Sequence, residues 1–358
     1  MTKRIGILTS GGDCPGLNAA IRGVAKAAYE RMEDVEIIGI AGGFSGLIKG
    51  EYHTMNPADF SGILTLGGTI LGTVRTPFKN MRKIESDNVD KVSNMVQNYE
   101  KMQLDCLCTL GGNGTHKTAN LLSEEGLNII GLPKTIDNDI WGTEFTFGFH
   151  TAVDIATDVI DRIHTTAASH GRVMVIEIMG NKAGWLTLYS GIAGGADVIL
   201  IPEIPYDRQS VIDAVSKRAA RGKAFSIIAV AEGAIRNDEV DLKKKDLRER
   251  RLEEGSPTVS NRLAQAIEDT TGMETRVVVP GYTQRGGSPS AYDRVLATKF
   301  GVQAAELIYK NKFGYTVALS QNTVTQNKLC DVAGKTKLIH PEGDLVRIAK
   351  DIGISFGI

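Results

Sequence analysis

Cysteine is scarce in this chain: four residues in 358, Cys14, Cys106, Cys108 and Cys330. They form no Cys-x-x-Cys pair and no zinc-ligand spacing, which excludes a disulfide framework and a structural zinc site. Cys106 and Cys108 alternate on an apolar run and read as core thiols. An excess of one charge is also lacking, with 41 lysines and arginines against 42 aspartates and glutamates. That balance offers no electrostatic footprint for nucleic acid or an anionic membrane, so any anion site must be built locally. No stretch approaches the roughly 18 apolar residues of a membrane span, and the N-terminus carries no apolar targeting segment. A soluble protein of a reducing compartment, the cytoplasm, is expected. Low-complexity linkers are absent too, and the one dense charge run, Lys243–Glu254, mixes signs and reads as a solvated loop and helix start.

What is present is an alternation of strand and helix. Apolar runs at Arg4–Ser10, Val35–Ala41, Leu104–Leu110, Asn128–Leu132, Arg172–Met179, Val198–Pro202, Phe225–Ala231 and Thr275–Val279 predict strands. Several are continuous rather than alternating, as parallel strands covered on both faces are. Helical patterns fill the gaps, as over Thr151–Thr166 and Ser210–Ala220, and 358 residues suffice for two domains with substantial cores. The fold class expected is α/β with mainly parallel sheets.

The most informative segment is Gly131-Leu-Pro-Lys-Thr-Ile-Asp-Asn-Asp139. If Asn128–Leu132 is a short buried strand, Lys134–Asp139 lies at its carboxyl end, where open α/β sheets bind ligands. Asp137 and Asp139 are close enough for one to accept a proton while the other helps hold a cation, and Lys134 suits an anion, most simply a phosphate. Two glycine turns add to this. Gly111-Gly-Asn-Gly-Thr115 separates a strand from the helical run Lys117–Leu122, and Gly11-Gly-Asp-Cys-Pro-Gly16 separates Arg4–Ser10 from a helix starting near Asn18. A strand, a glycine turn and a helix N-terminus together make an anion site from unpaired backbone N–H groups.

These segments, with Met179-Gly-Asn181, Gly191-Ile-Ala-Gly-Gly195 and Thr283-Gln-Arg-Gly-Gly-Ser-Pro289, resemble the motifs of the phosphofructokinase family, in the family's order and over nearly the whole chain. The Gly-Gly-x-Gly-Thr turn alone also fits NAD kinases or lipid kinases; Thr135-Ile-Asp-Asn-Asp139 and Gln284-Arg-Gly-Gly287 single out phosphofructokinases. The resemblance implies two similar Rossmann-like domains with the active site in the cleft between them. Residues 1–148 with 284–334 would hold the nucleotide, and 149–283 with 335–358 the sugar phosphate. It implies phosphorylation of fructose 6-phosphate at O1 by MgATP, a committed step of glycolysis giving fructose 1,6-bisphosphate. It also implies a homotetramer or homodimer, with neither nucleic acid nor membrane as partner.

Phosphoryl transfer to a sugar hydroxyl needs a base, cations around the moving group and a grip on both substrates. Asp137 is the expected base, and the resemblance gives it the same role. Asp139 would position the base and the metal-bound phosphates, with Asn113 at the family's magnesium position. Thr135 would hydrogen-bond the phosphoryl or the sugar, and Ile136 falls in the same substrate-binding stretch. Gly12, Gly112, Asn113, Gly114 and Thr115 resemble the nucleotide-phosphate cradle; Arg75, followed by Thr76, matches a donor-phosphate arginine, and Phe44 the aromatic beside the adenine. Arg172, Arg276 and Arg285 fall on sugar-phosphate positions, the first two reaching in from a neighbouring subunit. Glu232 matches the carboxylate for sugar hydroxyls, and Met179 and Gly180 would approach the sugar through their backbone.

Three positions depart from the family pattern. Asn113 stands where an acidic magnesium ligand is usual, Asn181 replaces an arginine, and Tyr282 replaces a histidine at the sugar-phosphate position. Lys134 would partly compensate the missing positive charge. The donor signals are mixed. In this family an Asp directly after the metal position crowds the α-phosphate of ATP and favours pyrophosphate; here Gly114 leaves room. The pyrophosphate enzymes also carry a lysine before Thr-Ile-Asp-Asn-Asp, as Lys134 does here. The combination resembles the mixed-substrate branch, as does the C-terminal run Asp344–Gly357. A clash forbids a donor while a lysine only favours one, so ATP is expected and a pyrophosphate-dependent enzyme is the alternative. A second alternative, motivated by Asn113 and Asn181, is a catalytically weak subunit that binds sugar phosphate and regulates a partner.

Overall fold

The computed structural model describes residues 2–84, 89–255 and 258–358. Its internal contacts divide the chain into two units, Met1–Thr151 with Arg285–Lys337 and Ala152–Gln284 with Leu338–Ile358. The first unit holds β1 (Lys3–Ser10), β2 (Val35–Ile40), β3 (Tyr52–Met55), β4 (Cys106–Gly111) and β5 (Ile129–Pro133). The second holds β6 (Val173–Ile178), β7 (Val198–Leu200), β8 (Ser226–Ala231) and β9 (Thr275–Val278), and the chain then returns to the first for β10 (Tyr315–Ser320) and β11 (Thr323–Lys328).

In the first unit the described strands form a seven-stranded sheet in the order β11-β10-β5-β4-β1-β2-β3. The five central strands are parallel, while β11 and β3 fold back antiparallel at the edges. Burial on both faces explains the continuous apolar runs; every residue of β4, including Cys106 and Cys108, is buried. Helices Leu17–Arg31 and Ala291–Tyr309 pack backbone to backbone at Gly23 and Gly301. A Cβ on Gly301 would come within 2.5 Å of Ala20 O, so any larger residue would force the helices apart. From β1 the chain builds the sheet one way through β2 and the other way through β4. The carboxyl ends of β1 and β4 therefore flank a topological switch point, the place where such sheets bind ligands.

The second unit is built on an all-parallel sheet, β7-β8-β6-β9, with Val175, Ile228, Val230 and Leu263 in its core. The last residues of the chain extend its edge: Ile199 N–H donates to Ser355 O at 2.9 Å, and Ser355 N–H to Asp197 O at 3.0 Å. The charge run expected to be a loop and helix start is helical over Lys244–Glu253, supported by pairs one turn apart such as Lys245–Glu249 at 3.6 Å. Among the described residues no helix is long and apolar enough to cross a membrane.

Candidate active site

Three loops leave the carboxyl ends of β1, β4 and β5 and meet around a pocket of about 300 Å³ in the first unit. The pocket brings together Gly12, Gly112, Asn113, Gly114, Thr115, Lys134, Thr135, Asp137, Asp139, Arg75, Thr76 and Arg285. Twelve residues singled out from separate motifs thus share one cavity. Arg285, expected at the sugar phosphate, lines the same pocket as the donor loops.

The turn after β4 is shorter than its glycines suggest. The helix begins at Asn113 rather than near Lys117, with Gly112 as its N-cap, and its first backbone bond is His116 N–H to Gly112 O at 3.0 Å. The N–H groups of Asn113, Gly114 and Thr115 therefore have no partner within the helix, and they lie at its positive end. Together they make an anion site. A Cβ on Gly114 would find nothing within 4 Å. Thr115 ties the helix start to β1 through its hydroxyl, which donates to Ser10 O at 3.4 Å.

His116 carries no signal in the sequence reading, yet it fixes this turn. It is 1 % exposed, with Nδ1 3.0 Å from Gly112 O and Nε2 2.9 Å from Thr316 Oγ1 on β10. Burial pushes its pKa down to about 4. A carbonyl can only accept, so the neutral ring donates from Nδ1, and its bare Nε2 shares the Thr316 hydroxyl with Gly131 O, 3.0 Å from the same oxygen.

The loop after β5 supplies the remaining chemistry. Lys134 is 3 % exposed, and its Nζ donates to Gly12 O beneath the first glycine turn. Burial, reinforced by Arg285, pulls its pKa below the ordinary lysine value, while Cys14, Asp13 and Asp137 pull the other way. Arg285 donates to Asp13 O at 3.3 Å, and a Cβ on Gly12 would come within 2.9 Å of its Nη1. Glycine at position 12 is what lets this second cation approach. Asp137 N–H donates to Thr135 Oγ1 at 3.0 Å. Between the aspartates, Asn138 is buried in the left-handed region at φ 49°, accepting from Thr146 N–H at 3.1 Å and donating to Glu144 O at 3.2 Å. These bonds close the loop on itself and hold both carboxylates from within.

Asn113 Nδ2 donates to Asp139 Oδ2 at 2.8 Å and to Asp139 O at 3.2 Å. That turns Oδ1 the other way, buried and without a protein hydrogen-bond partner among the described residues. No cluster of three or more His, Cys, Asp or Glu residues that could hold a metal occurs among the described residues. A carboxylate with a side-chain amide next to it, able to offer its oxygen by turning over, suits a hard cation that brings its own ligands, as magnesium does on nucleotide phosphates.

Two expected site residues have side chains buried away from the pocket. Phe44 is 1 % exposed and packs in the core with Leu8, Ile38, Ile40 and Leu47, so its ring offers no face to an adenine. Ile136 is likewise fully buried, which leaves only its backbone for a substrate. The aromatic that does line the pocket is Phe78, which follows Arg75, Thr76 and Pro77 and is partly exposed.

In the second unit, Met179 and Gly180 follow β6 and Glu232 follows β8, all at carboxyl ends. Met179 N–H donates to Gln284 Oε1 at 3.2 Å, and Gly180 N–H reaches Glu232 Oε1 at 3.4 Å. Gly180 has φ 141°, and a Cβ there would meet Ala183 O at 2.8 Å, so the backbone is bare at this point. Asn181 is exposed beside it, and Tyr282 is 85 % exposed. Arg172 and Arg276 lie at the amino ends of β6 and β9, both on Glu274 at 2.8 and 2.5 Å. A strand of this length spans about 20 Å. One sugar phosphate cannot touch both this arginine pair and the Met179–Glu232 cluster of the same unit.

The phosphofructokinase family model matches residues 4–308. An ATP-dependent 6-phosphofructokinase of Spirochaeta thermophila is 57 % identical over 359 residues, covering 99 % of this chain and 98 % of its own. ATP-dependent 6-phosphofructokinase 3 of Bacteroides thetaiotaomicron is 49 % identical over 355 residues, covering 99 % of this chain and all of its own. Among solved structures, phosphofructokinase from Saccharomyces cerevisiae matches with a TM-score of 0.79 at 29 % identity, over 92 % of this chain and 45 % of the yeast chain.

Proposed function

This chain belongs to the phosphofructokinase family, and we propose that its first unit takes the phosphoryl donor and its second the sugar phosphate. The chain phosphorylates fructose 6-phosphate at O1 with MgATP, the glycolytic step that gives fructose 1,6-bisphosphate. The observation that carries the site assignment is the pocket at the switch point, where Asp137 shares one cavity with a helix N-terminus and three cationic side chains, Arg75, Lys134 and Arg285.

In this reading Asp137 takes the proton from the O1 hydroxyl as that oxygen attacks phosphorus. The N–H groups of Asn113, Gly114 and Thr115, with Lys134 and Arg285, receive the charge of the donor phosphates, and Arg75 and Thr76 hold the donor from the rim. Magnesium would neutralise charge on those phosphates when the nucleotide binds, held by the Asp139 carboxylate and, once its amide turns over, by Asn113 Oδ1. Phe78 replaces Phe44 as the aromatic wall for the base. Thr135 and the Ile136 backbone contact substrate beside Asp137. Glu232 grips sugar hydroxyls, and Met179, Gly180 and Asn181 approach the sugar closely. Arg172, Arg276 and Tyr282 serve the sugar phosphate, the two arginines in a neighbouring subunit of a cytoplasmic homotetramer or homodimer.

A coupled assay of the purified chain with fructose 6-phosphate and either MgATP or pyrophosphate tests this function. Turnover with ATP is expected. Turnover with pyrophosphate alone would make Lys134 the better guide to the donor, and no turnover with either would leave a sugar-phosphate-binding regulator.

A further inference from the structure

Lys337 has no role in the reading above, and it lies beyond residue 308, where the family match ends. Three of its hydrogen bonds nevertheless fall on the loop that carries the two aspartates. Its backbone N–H donates to Asp139 O at 2.8 Å, and its Nζ donates to Thr143 O at 2.9 Å and Glu144 O at 2.7 Å. The preceding residue, Thr336, makes an antiparallel bridge with Ile140. No strand or helix lies between β5 and the helix Phe149–His170, so no regular ladder fixes this loop. The carbonyl that takes the Lys337 N–H also takes Asn113 Nδ2, which links the segment to the start of the phosphate-binding helix.

We propose that Lys337 is a positioning residue for phosphoryl transfer, a strap from the late part of the chain that holds the Asp137–Asp139 loop against the helix start. It is absent from the pocket lining, so it acts through the loop and not on a substrate. The inference rests on the assignment of Asp137 as the base.

Lys337→Met keeps the aliphatic stem and removes the ammonium donors. The expected result is a fall in kcat of about 10- to 100-fold, the scale of a small misplacement of reacting groups, with KM for both substrates within about threefold. Amide exchange should quicken in residues 139–146 while the strands of the first unit keep their protection. Lys337→Arg, which retains N–H donors, should recover most of the rate. On an Asp137→Ser background the same substitution should cost less than about threefold, because the group it positions is gone. A kcat within about twofold of wild type overturns the proposal, as does the full loss repeated on Asp137→Ser. Equal losses in the Met and Arg variants, with equal drops in unfolding midpoint, overturn it too. If Lys337→Met does not fold, Lys337→Gln is judged by the same kinetics and exchange. Near-normal activity of Asp137→Ser would remove the base assignment separately, leaving local exchange in residues 139–146 to decide the strap.

Discussion

Asn113 gives an amide hydrogen to Asp139, Nδ2 to Oδ2 at 2.8 Å, in the place where an acidic residue would face another carboxylate. Asn113→Asp replaces that donor with a second negative charge. Without a cation the two carboxylates repel, and with one they bind it together. The variant should melt lower than wild type in EDTA, gain more in melting temperature on adding magnesium, and reach half-maximal rate at lower magnesium. A higher magnesium requirement would remove Asn113 from the cation's neighbourhood.

Gly114 separates the donors. A Cβ there meets nothing in the protein within 4 Å, so Gly114→Asp should fold normally and act on what enters the pocket. A carboxylate at the helix start should clash with and repel the α-phosphate of ATP, while Lys134 still reaches the shorter pyrophosphate. The ratio of kcat/KM for ATP to that for pyrophosphate should favour ATP in wild type and fall in the variant. An unchanged ratio would mean that the donor does not pass this position.

The acid limb of stability should report His116. Its folded pKa, about 4, lies below the ordinary 6.5, so the folded state binds fewer protons between those values. The contribution of the neutral ring is complete above about pH 6.5 and is lost on acidification, by about 2 kcal/mol at pH 5. Urea unfolding of wild type and His116→Gln at pH 7 and pH 5 should show wild type losing more on acidification by roughly that amount. Parallel losses would mean that His116 is not held neutral.

What was legible in the sequence was the part that follows from strand ends. Glycine turns and the Asp-Asn-Asp segment come straight after continuous apolar strands, so β1, β4 and β5 and the pocket residues at their ends could be read together. Side-chain burial was not legible. Phe44 and Phe78 both follow short polar or glycine-rich stretches, and only packing decides that the first fills the core while the second faces the pocket. The β10–β11 hairpin was missed although Gln321 and Asn322, at φ 48° and 60°, mark its turn, because β11 is largely polar and only half buried. Lys337 gave no local signal at all, since its partner Thr143 lies 194 positions away.

The opposite placement of Arg172 and Glu232 on one sheet predicts complementation between subunits. Arg172→Leu chains keep Asp137, and Asp137→Ser chains keep Arg172. Mixed and reassembled, two weak variants should recover up to about a quarter of wild-type activity for random pairing in a dimer, where half the dimers are hybrid with one intact site each. Hybrids that form but stay inactive would place Arg172 outside a shared site.

Proton removal by Asp137 is the step on which the whole mechanism turns, and one variant tests it. Asp137→Ser should bind fructose 6-phosphate nearly as wild type does, measured by calorimetry, while kcat with MgATP falls by about 10² to 10⁴-fold. A kcat close to wild type, with binding intact, would contradict the account.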